Sequence, residues 1–175
     1  MKARILGVAV VAVCALAAVA MADKPMTEAM GPPNAAFEKM KLLVGTWEGK
    51  GTNGQPVKVT YSLVSDGSAL MEMLGHGKEP SMVTMYHPDG SGTLMMTHYC
   101  GAHNQPRMRA AVPSEEIKAL AFEFVDCTNL SAPEAGHMHH LVLTFEDRNH
   151  FSQEWTWKEK DKEGKEVFQL ARKKS

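Results

Sequence analysis

Apolar and polar residues alternate in short runs from residue 45 onward. Val57, Val59, Tyr61 and Leu63 share one face of one run, and Leu120, Phe122 and Phe124 share a face of another. Leu141, Leu143 and Phe145 do the same in a third run, and Phe151, Trp155 and Trp157 in a fourth. A period of two marks strands with one buried face. The pattern predicts ten strands, near 45–51, 56–65, 69–75, 81–86, 92–100, 107–112, 117–126, 137–146, 151–158 and 166–172. Turn formers separate them: Asn53-Gly54, Asp66-Gly67, Asp89-Gly90, Asp147-Arg148-Asn149, and the charged run 159–165 with Gly164. Many short strands joined by short turns predict an all-β fold, a barrel or a sandwich.

Ahead of the strands the period changes. Phe37, Met40 and Val44 fall at helical spacing, with Asn34 placed to cap a helix over 35–44 and Gly45 to end it. Residues 23–36 carry Pro25, Gly31, Pro32 and Pro33 and read as a flexible lead. The first 22 residues have another signature. Lys2 and Arg4 precede an apolar run from Ile5 to Val19, followed by the small-residue sites Ala18-Val19-Ala20 and Ala20-Met21-Ala22. This is the pattern of a secretory signal peptide cut after Ala22, or alternatively after Ala20. Cys14 raises a lipoprotein alternative, against which the bulky Val13 stands. The expected organisation is a signal peptide (1–22), a lead (23–36) and one barrel domain (37–175), with a periplasmic or extracellular location.

Charge narrows the partners. The chain has 19 Lys and Arg against 20 Asp and Glu, a formal net charge of −1. No basic stripe exists to hold nucleic acid. No second apolar run reaches the length of a membrane span. A small molecule is therefore the expected partner, while oligomeric state and cofactor are left unspecified. Thirteen methionines, several in the middle strands (Met71, Met73, Met82, Met85, Met95, Met96), read as adaptable core filler.

Gly45-Thr46-Trp47, placed after the helix and at the head of the first strand, resembles the Gly-x-Trp opening of calycin barrels: lipocalins, fatty-acid-binding proteins and nitrobindin-like proteins. The chain also resembles uncharacterised bacterial secreted proteins with a lipocalin-like domain of unknown function. The resemblance covers residues 37–175 and implies a single antiparallel up-and-down β-barrel of about ten strands with a short N-terminal helix. It further implies that a late arginine packs on the tryptophan, which makes Trp47 and Arg172 a structural pair. The haem site of nitrobindin-like proteins depends on one axial histidine, and no unique residue here matches it.

In an up-and-down barrel alternate turns lie at opposite ends. Strand order alone then gathers His76, His98, His103, His137, His139 and His140 at the end opposite Trp47, together with Cys100, Cys127 and Asp126. Alternation places His98 in phase with Leu94 and Met96, Asp126 with Phe122 and Phe124, and His139 with Leu141 and Leu143, all predicted to point inward. Tyr61, Glu72 and Gln153 are further inward candidates. The leading expectation is a small, partly apolar ligand in the barrel under a polar mouth of His98, Asn104, Gln105, Arg107, Asp126 and His139. A metal or haem site built from His98, His137 and His139 is the first alternative. A hydrolase or isomerase is the second, with Cys100 as thiol nucleophile and Asp126 orienting a base. No serine elbow, phosphate loop or paired-carboxylate motif is present, and no catalytic residue is assigned. Cys100 and Cys127 form a possible disulfide, although one intervening strand spaces their backbones at about 9.6 Å.

Overall fold

The computed structural model describes residues 33–77 and 81–174. The signal segment and most of the lead lie outside the described residues. One helix, α1 (Ala35–Lys41), precedes ten strands: β1 (Gly45–Lys50), β2 (Pro56–Val64), β3 (Ala69–His76), β4 (Met82–Asp89), β5 (Thr93–Tyr99), β6 (Gln105–Ala111), β7 (Ala119–Thr128), β8 (His137–Phe145), β9 (His150–Glu159) and β10 (Lys162–Arg172). Each strand pairs antiparallel with its sequence neighbours, and β1 pairs with β10 to close the barrel. No described helix is long and apolar enough to cross a membrane.

The helix starts where the sequence places it. Asn34 Oδ1 accepts from the Phe37 amide at 2.9 Å, while its Nδ2 donates to the carbonyls of Gly90 and Thr93. One buried side chain thus caps α1 and ties it to the β4–β5 turn. Ala36, Phe37 and Met40 are buried and plug this end of the barrel. The helix is shorter than the apolar spacing predicts. Leu42, Leu43 and Val44 bond back three residues, to Lys39, Met40 and Lys41, tightening the last turn so that the chain swings into β1. Val44 therefore faces solvent, and Gly45 opens β1 at φ +127° instead of stopping the helix.

Closure sets Trp47 opposite Arg172. The Arg172 guanidinium lies 4.1 Å from the Trp47 ring centroid and donates to the carbonyls of Leu42, Val44 and Arg148. Trp47 Nε1 donates to the Leu43 carbonyl at 2.7 Å, and the ring meets Phe151 edge-on at 4.6 Å. The last strand is longer than its alternation predicts: Lys160-Asp161 makes a two-residue turn with Lys160 at φ 53°. Glu163, Gly164 and Lys165 are already paired with β9. This extension has no apolar period to reveal it, and ion pairs such as Lys165 with Glu154 run along it.

Two bulges reset the pleat on the walls nearest the histidines. Between β6 and β7 the register steps from Arg107–Asp126 to Met108–Phe124, so Val125 is the extra residue. Between β8 and β9 it steps from Met138–Trp157 to His140–Thr156, so His139 is the extra residue. A single inserted residue reverses which face the following side chains take.

Candidate functional site

The barrel interior is lined by large apolar side chains, among them Tyr86, Leu94, Met96, Met108, Phe122, Leu141 and Trp155, all essentially inaccessible. Within this lining runs a polar belt. Register pairs Tyr61 with Glu72, Glu72 with Thr84, and Thr84 with His98, one inward residue on each of β2 to β5. All four are 1 % exposed or less. On the opposite wall Gln153 donates to the Tyr61 hydroxyl at 2.7 Å and accepts from Trp155 Nε1 at 3.0 Å. The Trp155 ring lies 4.7 Å from the His98 ring, which completes the circuit. Tyr86 donates to Glu72 Oε2 at 2.7 Å, and the Thr84 hydroxyl meets His98 Nδ1 at 2.9 Å.

Burial governs the electrostatics of this belt. It raises the Glu72 carboxyl above the usual carboxylate range, with the phenols of Tyr86 and Tyr61 pulling the other way. Burial and the charge of Glu72 push both phenols well up. Burial also lowers the His98 imidazole to about 4, so the ring is neutral at physiological pH. Glu72 Oε1 and His98 Nε2 are buried and have no hydrogen-bond partner.

A depressed histidine has a measurable consequence. An unfolded histidine titrates near about 6.5. Stability from neutral His98 is therefore fully present above that pH and lost as pH falls toward 4. A gap of roughly 2.5 units corresponds to about 3 kcal/mol. Urea midpoints at pH 7 and pH 4 should show a drop of that order in the wild type and a clearly smaller one in His98→Gln. An equal drop in both would assign the acid lability to other groups.

The mouth opposite α1 carries a cleft of about 650 Å³, lined by His103, Asn104, Asn129, Leu130, Trp157 and Lys160 among others. Asn104 is 4 % exposed. Its Nδ2 donates to the Gly136 carbonyl at 2.8 Å, which fixes the amide and leaves the buried Oδ1 without a partner. Gly136 is needed where it stands, because a Cβ there would lie 2.1 Å from the Trp157 ring. His103 holds φ 64°, and its carbonyl takes hydrogen bonds from Asn129 and Gln105. A wider cleft of about 930 Å³ lies at the helix end, beside Leu42, Ile117, Phe145 and Arg172. Two of the polar groups there are already engaged: Arg172 by three carbonyls, and Asp147 by His150 and the Asn149 amide.

No protein-family model and no curated protein sequence matches this chain. The barrel does have a solved counterpart. It is similar to the crystal structure of Rv2717c from M. tuberculosis, with a TM-score of 0.58 and 14% sequence identity. The match covers 82% of this chain and 100% of that one, and at this identity it speaks to fold.

The histidine-rich mouth forms as strand order requires, but its members divide. His98 points into the belt and Asn104 into the cleft. Gln105 turns outward, accepting from Thr128 Oγ1 at 2.9 Å. Arg107 and Asp126 also lie on the outer wall, where they form a two-toothed ion pair with both side chains nearly half exposed. The inward expectation for Asp126 fails because the Val125 bulge inverts the pleat beyond Phe124. His139 is the bulge residue of β8 and is only half buried. It stacks on Phe124 at 4.7 Å, and its Nδ1 sits 3.1 Å from His137 Nε2.

His98, His137 and His139 do not converge as a ligand set. His98 is engaged by Thr84, and His137 Nδ1 is bonded to the Ala135 carbonyl. Among the described residues no three His, Cys, Asp or Glu side chains gather around a common point fit for a metal ion. Cys100 and Cys127 are free thiols, not a disulfide, with β6 standing between them. Burial raises both thiols, which keeps Cys100 protonated and weakens it as a nucleophile. Thr84, Tyr86 and Trp155 complete the belt without having been singled out as polar candidates. Their only sequence signal is that they share the inward phase of Glu72, His98 and Gln153.

Proposed function

We propose that this protein is an exported small-ligand-binding barrel whose ligand sits in the mouth cleft opposite α1. The observation that carries the reading is the buried, unpartnered Asn104 Oδ1 in a cleft of about 650 Å³ beside the Trp157 ring. That volume is in the range of small-molecule sites. A buried acceptor without a donor costs about 1–3 kcal/mol, which a ligand N–H or O–H would recover. Trp157 and Leu130 offer apolar surface for the rest of the molecule, and His103 and Asn129 rim it. Export rests on the Lys2/Arg4 start, the apolar run and the Ala20-Met21-Ala22 site.

Native mass spectrometry of gently extracted protein should show a co-purifying small molecule. Its affinity should fall at least about tenfold in Asn104→Ala, the loss of one hydrogen bond, and further in Trp157→Ala, with circular dichroism unchanged. Wild-type affinity in both variants would refute the site. Retention of the uncleaved N-terminal segment in the cytoplasm would refute export.

A further inference from the structure

The methionines of the middle strands divide between the two faces of the sheet. Met96 is inward and inaccessible, and Met82 packs against the core. Met71, Met73, Met85 and Met95 alternate with the buried residues of β3 to β5, so they lie on the outer wall, half-buried or exposed. Methionine is more often an interior residue, and these four are not the core filler that the composition suggests. We propose that Met85, His87 and Met95 form a soft-metal site on this wall, which takes a univalent copper ion.

Register brings the three together. His87 stands directly opposite Met95, a relation that sets Cβ atoms about 4.5–5.5 Å apart. Met85 lies two residues from His87 on the same face of β4, a spacing of about 6.8 Å. Met85 and Met95 are diagonal neighbours across β4 and β5, about 7–8 Å apart and within reach of long side chains. Met71 stands directly opposite Met85 and adds a fourth sulfur beside the three ligands. Methionine is unbranched with three rotatable bonds, so thioethers so placed can turn toward one ion. His87 is already oriented for it. Its Nδ1 meets the Pro88 carbonyl at 3.0 Å. A carbonyl only accepts, so Nδ1 carries the proton and Nε2 of the neutral ring presents its lone pair. Ligating histidines are commonly held in this way, with the second ring N–H donated to a carbonyl. Arg109 opposite Met95 and Asp89 two residues beyond His87 put one charge of each sign at the edge of the site. The three ligands are uncharged, which suits a univalent ion. Thioethers select Cu(I), whereas carboxylates and carbonyls suit magnesium and calcium.

The folded protein, in chloride-free buffer at pH 7.5, is titrated with silver nitrate and, under nitrogen, with Cu(I) held as its acetonitrile complex. Zinc and magnesium ions serve as comparisons. The Cys100 and Cys127 thiols also attract Cu(I), so the readout is resolved by residue, through the NMR signals of the methionine methyl groups. The methyls of Met85 and Met95 and the ring of His87 should shift to saturation, while the methyls of the inward Met96 and Met108 stay in place. Met85→Leu and Met95→Leu keep an apolar side chain and remove one sulfur, and His87→Gln removes the imidazole. Each should raise Kd at least about tenfold, with circular dichroism unchanged. Unmoved Met85 and Met95 methyls, a wild-type Kd in any of the three variants, or equal shifts from zinc would overturn the proposal. This site shares no residue with the mouth cleft, so its failure would leave the Asn104 and Trp157 experiments standing.

Discussion

Trp47→Ala should lower stability by about 3–5 kcal/mol, the usual cost of emptying a large aromatic site. For a domain of this size the thermal midpoint would fall by roughly 10–20 °C. Trp47 is 1 % exposed and has three separate jobs. Its ring fills the helix end of the core against the edge of Phe151. Its indole N–H satisfies the Leu43 carbonyl in the turn between α1 and β1. Its outer face receives the Arg172 guanidinium from the last strand. Trp47→Phe separates these effects. It keeps a ring against Phe151 but strands the Leu43 carbonyl, for an expected cost of about 1–3 kcal/mol. Urea unfolding with an unchanged m-value measures both variants. A loss below about 1 kcal/mol in Trp47→Ala would mean that the α1 end is held by other contacts.

Gly49→Ala should be at least as damaging, above about 4 kcal/mol or unfolded outright, the range of exceptional single substitutions. A Cβ on Gly49 would lie 1.8 Å from the Gln169 carbonyl oxygen and 2.9 Å from its carbon. Those are backbone atoms of β10, so no rotamer change relieves the collision. Relief requires β1 and β10 to part, and their pairing is the seam that closes the barrel. Gly164→Ala is the matched control. It lies in β10, the strand that Gly49 abuts, meets nothing within 4 Å, and should be neutral or stabilising by up to about 1 kcal/mol. Similar melting curves for the two alanine variants would refute the seam as the sensitive point.

Trp47 lies at the α1 end and Gly49 on the β1–β10 seam, whereas Asn104, His98 and Glu72, among the groups left without partners, lie toward the other end and in the interior. This division separates the substitutions expected to unfold the protein from Asn104→Ala, which is expected to alter what it binds.

The strand pattern was legible because it is local. Alternation such as Val57-Val59-Tyr61 and turn pairs such as Asp66-Gly67 require no knowledge of distant residues. Strand order then placed six histidines at one mouth, because successive antiparallel strands must return to alternate ends. Asp126 was misplaced because a bulge adds one residue and reverses the pleat, and Val125 carries no composition that marks it as the extra residue; His139 is itself the extra residue of the second bulge and is half buried. The outward turn of Asp126 is settled by its ion pair with Arg107 on β6, a partner nineteen residues away. The disulfide possibility likewise turned on how β6 separates two strand ends.

By itself the sequence determined the class of fold, the strand order, the Asn34 helix start and the end of the barrel where polar groups collect, since these follow from short-range periodicity and chain reversal. Tertiary structure alone decided which of those groups share a site. The belt from Tyr61 through Glu72, Thr84 and His98 to Trp155 and Gln153 joins five strands, and it forms only once β1 meets β10 and the interior excludes water. That exclusion leaves Glu72 and His98 with unfilled hydrogen-bonding capacity, a property that no single segment of the chain possesses.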